Sequence, residues 1–212
     1  MAGRFPDALR GYFRRRTALY LCVVIVLAMG ACFGGLAVGH VDEGDRTALA
    51  SHIHGLLTAS ESRAPVPAEQ VIRQAVTDYL VKTVGLVGLL GFSVIGAPFV
   101  LAVVFLRGFA LGFTGAFLVD QLGWRGVPVA LASLLPHNVV AVPALLLAGA
   151  SAISFSLAAA RVLMGRRDIN MYQQFLSTLL LLSVSGLALV AAAFLEAYVT
   201  PVLMDAVARL LP

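Results

Sequence analysis

Residues 83–119 read TVGLVGLLGFSVIGAPFVLAVVFLRGFALGFTGAFLV, and Arg107 is their only charged residue. A helix needs about 20 mostly apolar residues to cross a bilayer, so this stretch is long enough to cross twice. The whole chain shares this character, because 60% of its 212 residues are hydrophobic and 12% are charged. Soluble domains carry about 25% charged residues. The composition therefore excludes an ordinary soluble domain and predicts an all-α, polytopic helical membrane protein.

The charged residues cluster between long apolar runs, and these runs predict about five transmembrane helices. We place the spans at residues 17–39, 79–97, 98–119, 126–160 and 171–195. The first run is longer than the core of a cleaved signal peptide, so an uncleaved anchor is favoured over a removed leader. The fourth run is longer than one crossing needs, which suggests a broken span or an additional short helix.

The positions of the arginines predict the orientation, since basic flanks resist translocation. Residues 1–16 carry five arginines against one acid, and residues 161–170 carry three arginines against one acid. Residues 40–78 carry three arginines against six acids. We expect the first two segments in the cytoplasm, with 40–78 and the tail 196–212 outside. The net charge of +4 is thus a topology signal and does not indicate nucleic acid.

Both ends of the chain have amphipathic helical patterns. Phe5, Leu9, Tyr12 and Phe13 form an apolar stripe with arginines between them, which is typical of a helix lying in the lipid headgroup layer. Residues 196–212 contain a similar stripe. Membrane anchoring without a further role is the simpler interpretation of both.

Residues 40–78 are the largest segment predicted to lie outside the membrane. They are too few to bury a core of their own, so they are expected to lie on the membrane or bind a partner. His52 and His54 form an H-x-H pair within this segment. Because further suitable ligands are lacking, a solvated helix face is favoured over a metal site, and no cofactor is expected.

Glycines recur at four-residue spacing in two of the predicted spans. Gly30 with Gly34, and Gly108 with Gly112, form G-x-x-x-G motifs. Such motifs let helix backbones approach closely, which supplies packing energy in lipid. Two interpretations follow: packing within the chain, or homodimerisation through the first span.

The meaning of Arg107 depends on where the chain turns. A turn near Gly96 and Pro98 puts Arg107 in the middle of a span, where a charge is costly and usually functional. A turn directly after Arg107 leaves only residues 108–119 uncharged for the return, about 18 Å of helix, which is too short. We therefore favour the earlier turn. Asp120 is too distant along the helix to pair with Arg107, so a carbonyl or a partner subunit is the expected contact.

Pro136, His137 and Asn138, followed by Pro143, lie in the long fourth run. Two prolines seven residues apart interrupt the helical hydrogen bonds, and the freed carbonyls must be satisfied within the protein. The segment is interpreted either as a structural kink or as a re-entrant element or broken helix of a transport site.

Catalytic motifs are not apparent. The sequence has no G-x-S-x-G elbow, no phosphate loop, no C-x-x-C and no H-E-x-x-H. Its serines are of the kind that ordinarily pack between membrane helices. We do not expect an enzyme.

A series of motifs resembles the stage II sporulation protein M family in collinear order over nearly the whole chain, most densely over 96–157. The motifs are Gly96-Ala97-Pro98, Phe105-Leu106-Arg107-Gly108, Gly112-Phe113-Thr114, Gly123-Trp124-Arg125-Gly126, Leu135-Pro136-His137-Asn138, Pro143 and Ile153-Ser154-Phe155-Ser156-Leu157. The family often has Gln in place of His137 and Asn in place of Asp120. These departures weaken any family-wide chemical role for His137 but do not affect the fold.

The resemblance implies a non-catalytic, multi-pass cell-membrane protein of endospore-forming bacteria that acts in engulfment. It implies a scaffold for two extracytoplasmic peptidoglycan-degrading partners, a lytic transglycosylase and an amidase/endopeptidase. Membrane lipid and a second copy of the chain are the other expected partners. The alternative function is a transport or ABC-permease-like subunit, which the polar groups of the fourth run and Arg107 favour.

Overall fold

The protein is described by a computed structural model that covers residues 4–42, 44, 47, 51, 68–165 and 170–210. Its helices are α1 (Arg4–Ala37), α2 (Ala68–Thr77), α3 (Leu86–Gly91), α4 (Gly96–Leu122), α5 (Gly126–Leu163) and α6 (Met171–Leu210). A π-helix, Asp78–Gly85, joins α2 to α3, and 3₁₀ turns follow α1 and α4. Within these described residues there is no strand, which confirms the all-α fold class.

Three helical stretches are long and apolar enough to cross a membrane, namely Thr17–His40, Gly96–Leu163 and Met171–Val207. The second contains both α4 and α5, joined by the 3₁₀ turn Gly123–Arg125. Large apolar side chains such as Leu36, Leu131 and Leu187 lie on the outside of the helix bundle. Because contiguous exposed apolar surface is rare on soluble proteins, the fold is that of a membrane-embedded protein.

Helices α1 and α4 pack in parallel through the two G-x-x-x-G motifs. A Cβ atom added to Gly30 would overlap the carbonyl oxygen of Phe105, and one added to Gly34 would overlap that of Phe109. On the facing helix, a Cβ atom at Gly112 would overlap the carbonyl of Ala31. The glycines therefore pack within the chain, and this face is not available to a second copy. A homodimer stays a prediction and requires another surface.

The remaining helices alternate in direction. Gly149 of α5 lies beside Val104, and Ser156 near the end of α5 contacts Ala97 near the start of α4, so these two helices are antiparallel. Gln174 near the start of α6 donates to Ser154 near the end of α5, with a nitrogen-to-oxygen distance of 3.2 Å. The α5–α6 pair is antiparallel in the same way.

The turn between α3 and α4 lies at residues 92–95, slightly before the predicted site. Gly96 is the first residue of α4, and Pro98 lies in the first helical turn, where its missing N–H has no helical partner to lose. The predicted boundary between residues 97 and 98 was therefore wrong by a few residues. The physical reason is close packing, since a Cβ atom at Gly96 would overlap the carbonyl oxygen of Leu90.

The turn is supported by Ser156 of α5. Its hydroxyl donates to the carbonyl of Val94 at 3.0 Å and accepts the N–H of Ala97 at 3.2 Å. Beside it, the ring of Phe155 packs edge-on against Phe92 at 5.1 Å between centroids. The 153–157 motif thus holds together the end of the bundle at which α4 begins.

Helix α5 is continuous from Gly126 to Leu163 through both Pro136 and Pro143. The expected break in the fourth span is therefore wrong. The prolines are accommodated because α5 packs between its neighbours, and small side chains such as Ala141 and Ala148 are almost completely buried along it.

Helix α6 continues past residue 195 to Leu210, through Pro201. The predicted span 171–195 and the tail as far as residue 210 therefore form one continuous helix, and the membrane boundary between them stays a prediction. Several other predictions concern residues outside the described part: the side chains of the N-terminal stripe, the pair His52 and His54, and most of the loops 40–67 and 164–170.

Candidate functional site

A cavity of about 480 Å³, bordered by several ionisable side chains, lies between the π-helix, α4, α5 and α6. Its lining combines ionisable and apolar side chains. It is formed by Asp78, Tyr79, Arg107, Ala110, Leu111, Thr114, Leu118, Val129, Ser133, Leu134, His137, Glu196 and Met204. On α4 the lining runs from Arg107 to Leu118, about 16 Å along the helix axis.

Arg107 lies near mid-depth in the helix bundle. A Cβ atom at the adjacent Gly108 would overlap the carbonyl oxygen of Leu27, which is close to the middle of the apolar stretch Thr17–His40. Arg107 is also eleven residues after the start of α4, about 16 Å along its axis. The chain therefore turns before Arg107, and the charge lies inside the apolar region, where charges usually have a function.

Tyr79 contacts both Arg107 and Glu196. The Arg107 guanidinium carbon lies 5.2 Å from the centroid of the Tyr79 ring, which is a cation–π contact. The Tyr79 hydroxyl donates to Glu196 Oε2 at 3.1 Å. Tyr79 is only 5% exposed, whereas Arg107 and Glu196 are partly exposed, so the buried tyrosine links a cation and an anion at the wall of the cavity.

The π-helix places Tyr79 in this position. Asp78 and Tyr79 are its first two residues, and the Thr83 hydroxyl donates to the carbonyl of Asp78 at 3.3 Å. The wider turn of a π-helix shifts the register of the side chains that follow, and such segments are frequent at functional sites. A regular α-helix over these residues would change the angle between Tyr79 and its neighbours on α2.

His137 lines the cavity with a ring that is largely buried. The residue is 8% exposed, and its Nε2 lies 2.9 Å from the amide nitrogen of Asn138. The same amide donates to the carbonyl of Leu134 at 2.7 Å, so Nε2 is the acceptor and Nδ1 carries the proton of the neutral ring. Among the described residues, His137 Nδ1 and Asn138 Oδ1 are buried without a hydrogen-bond partner.

An apolar groove of about 430 Å³ adjoins the cavity on the outer side of α4 and α5. The two hollows share Leu111 and Leu134 as a common wall. Gly115 forms part of the groove floor, and Leu131 at its edge is 52% exposed on the apolar exterior. The cavity, with its ionisable side chains, thus lies next to an apolar groove.

Residues 17–201 match the family model described as Stage II sporulation protein M. The chain belongs to this family. It is therefore a sporulation-related membrane protein, and the resemblance seen in its sequence motifs is confirmed. Among curated proteins and solved structures, none matches the chain.

The motif residues of this family divide into two groups in the structure. Arg107 and His137 line the cavity, and Asn138 lines the adjoining groove. The others support packing or turns: Gly30, Gly34, Gly96, Gly108 and Gly112 allow backbones to touch, and Pro136 and Pro143 lie within α5. Trp124 is 92% exposed at the turn between α4 and α5 and contributes nothing to the cavity.

Three ionisable residues of the cavity were missed by sequence reasoning. Asp78 is the last residue of the predicted loop 40–78, Tyr79 is the first residue of the predicted span 79–97, and Glu196 directly follows the predicted span 171–195. One signal could have identified Glu196: the helical apolar pattern of residues 196–210 continues that of 171–195 without a turn residue other than Pro201. A charge in the middle of a membrane helix indicates a functional site more strongly than a charge at the end of that helix.

Proposed function

We propose that the protein is a non-catalytic membrane scaffold of the engulfment machinery of sporulating bacteria. It anchors two extracytoplasmic peptidoglycan-degrading enzymes, a lytic transglycosylase and an amidase/endopeptidase, at the septum. The observation that carries this proposal is the family match over residues 17–201. The closely packed α1–α4 pair supports it, since an anchor must keep its exported surfaces in a constant position.

The proposed topology has five crossings, with the N-terminus in the cytoplasm and the C-terminus outside. It is supported by helix direction: α1 and α4 are parallel, whereas α5 is antiparallel to both α4 and α6. If α1 runs outward, then α4 and α6 also run outward, and the composite helix from α2 to α3 returns between them. The basic segments 1–16 and 161–170 then lie together on the cytoplasmic side.

The docking surface for the wall enzymes is proposed to consist of the exported segment 40–78 and the end of α6. Helix α2, which belongs to this segment, and the end of α6 lie at the same end of the bundle, because Tyr79, just after α2, contacts Glu196 and α6 continues from there to Leu210. An enzyme bound there would be held close to the membrane on the side of the cell wall.

The test is deletion of residues 44–66, followed by co-purification of the two wall enzymes from sporulating cells. Capture of both enzymes should be lost, while membrane insertion, followed by fractionation, is unchanged. Deletion of residues 2–12 on the opposite side of the membrane is the control and should leave capture intact. Unchanged capture after removal of 44–66 would show that the docking surface lies elsewhere.

A transport subunit is the second candidate, and one observation favours it: a cavity with Arg107, Glu196 and His137 lies within the apolar region. Charges in such positions often line the route of a substrate. Purified protein in liposomes should be assayed for substrate flux and for stimulation of a partner ATPase. Flux that depends on Arg107, with normal engulfment in an Arg107→Ala strain, would favour transport over the scaffold.

A further inference from the structure

The turn between α4 and α5 projects from the helix bundle. Gly123 has a φ of 58°, a left-handed conformation that suits glycine. Gly126 is buried against α4, because a Cβ atom there would overlap the carbonyl oxygen of Leu118. Between these two glycines, Trp124 is 92% exposed and Arg125 is also exposed. The turn therefore holds two large side chains away from the bundle.

The turn lies at the depth of the lipid headgroups. Gly108 of α4 contacts Leu27, close to the middle of the apolar stretch Thr17–His40. Helix α4 ends at Leu122, fourteen residues later. This is about 21 Å along its axis, or about 20 Å from the midplane at the usual helix tilt of about 20°. The hydrocarbon ends about 15 Å from the midplane and the headgroup layer about 20–22 Å from it, so Trp124 is level with the headgroups.

The surface beside the turn changes from apolar to polar at this depth. Val119 and Val127 are exposed on α4 and α5, and both line the apolar groove between these helices. Asp120 and Gln121, which follow Val119 at the end of α4, are exposed polar residues. The lipid-facing apolar surface thus continues almost to Trp124 and ends there, as it should where hydrocarbon gives way to headgroups.

Tryptophan and arginine suit the chemistry of the headgroup layer. An indole ring is apolar except for one N–H donor, and tryptophan is enriched at membrane–water interfaces for this reason. An arginine can bury its aliphatic stem while its guanidinium donates to phosphate oxygens. A protein partner would require the turn to stand clear in water, whereas the depth of Trp124 favours lipid.

We propose that Trp124 and Arg125 insert into the headgroup layer of the bilayer and anchor the α4–α5 hairpin there. The indole ring lies among the glycerol and phosphate groups, and the Arg125 guanidinium donates to phosphate oxygens. Because α4 carries both this turn and Arg107, the anchor sets the depth of the cavity in the membrane. The proposal is independent of the scaffold function, since it involves neither segment 44–66 nor a wall enzyme.

The first test uses fluorescence, because Trp124 is the only tryptophan in the sequence. The full-length protein is placed in phosphatidylcholine bicelles, whose two faces are both open to solvent. The acyl chains are brominated either near the headgroup or near the chain end. The emission should be blue-shifted from that of N-acetyltryptophanamide in buffer. Bromines near the headgroup should quench it more strongly than bromines near the chain end.

The matched control moves the tryptophan to the middle of the bilayer. Val139 on α5 is 61% exposed and lies fifteen residues after Trp124, about 22 Å deeper along the helix. Trp124→Phe combined with Val139→Trp should be quenched more strongly by bromines near the chain end. For the natural protein, that same order of quenching would place the turn in hydrocarbon. Quenching by neither lipid would place it in water or beneath a protein partner, and either result would overturn the proposal.

The second test measures thermal unfolding in the same bicelles without bromine. Trp124 has little contact with the rest of the protein, so its removal can act on stability only through the lipid. Trp124→Ser should lower the midpoint by about 2–4 °C, whereas Trp124→Tyr, another interfacial residue, should largely preserve it. Arg125→Gln should also lower the midpoint, and Arg125→Lys, which keeps a donor for phosphate, should not. Equal midpoints for all four variants would contradict an anchoring role.

Discussion

The two faces of α4 differ in how tightly they pack. On one face, Gly108 and Gly112 bring the backbone of α4 into contact with α1. On the other, Arg107, Thr114 and neighbouring side chains border a cavity about 480 Å³ in volume. In lipid, close contact of small residues stabilises a helix pair, while polar side chains need partners or a ligand. We therefore expect the α1 side to contribute more to the stability of the bundle than the cavity side does.

The largest expected effect is that of Gly112→Leu on the α1 side. The new side chain would collide with the backbone of Ala31, which cannot move without displacing α1. We expect the free energy of unfolding to fall by about 3 kcal/mol or more. The measurement is the midpoint of thermal unfolding in detergent micelles. Gly39→Leu is the control, since a Cβ atom there meets nothing within 4 Å; equal loss in both variants would contradict the close contact.

A smaller loss is expected from Tyr79→Phe on the cavity side. The ring stays over Arg107, but Glu196 loses its hydrogen-bond donor. Removing a donor from a partly buried carboxylate should cost about 2 kcal/mol. The same thermal measurement applies, with Tyr172→Phe on the exposed surface as control. A variant as stable as the control would show that Glu196 is satisfied by solvent in the cavity.

Ser156→Ala tests the packed end of the bundle and should have an intermediate to small effect. Its hydroxyl makes two hydrogen bonds to the turn that starts α4. We expect a loss of about 1 kcal/mol and faster hydrogen exchange at residues 92–97. Ser183→Ala is the matched control, because the Ser183 hydroxyl bonds only within its own helix, to Leu179. Unchanged hydrogen exchange at residues 92–97 would show that Ser156 does not stabilise the turn.

The smallest effect is expected for Gly115→Ala, one helical turn from Gly112 but on the groove side. A Cβ atom there would lie 3.5 Å from a methyl group of Leu134, an ordinary van der Waals contact. The change in unfolding free energy should stay within about 0.5 kcal/mol. A loss comparable to that of Gly112→Leu would mean that both faces of α4 are packed with equal tightness.

Much of the architecture follows from the sequence because its physical cause is local. An uncharged run such as 83–106 is apolar whatever it packs against, so membrane helices can be read from composition. The depth of Arg107 follows in the same way, because the residues after it are too few for a separate crossing. The ordered motifs over 96–157 were specific enough to indicate the family, which the match over 17–201 confirms.

Only the tertiary structure decided which residues meet. Whether Gly30 and Gly34 pack within the chain or against another copy depends on which helix lies opposite, and the four-residue spacing is equally suited to both. Pro136 and Pro143 do not break α5, which packs between neighbouring helices and is continuous from Gly126 to Leu163. Tyr79 contacts both Arg107 and Glu196, and these three residues lie on helices that are far apart in the chain. Local periodicity places a side chain on a face of its own helix, but the partner of that face is set by the packing of the whole bundle.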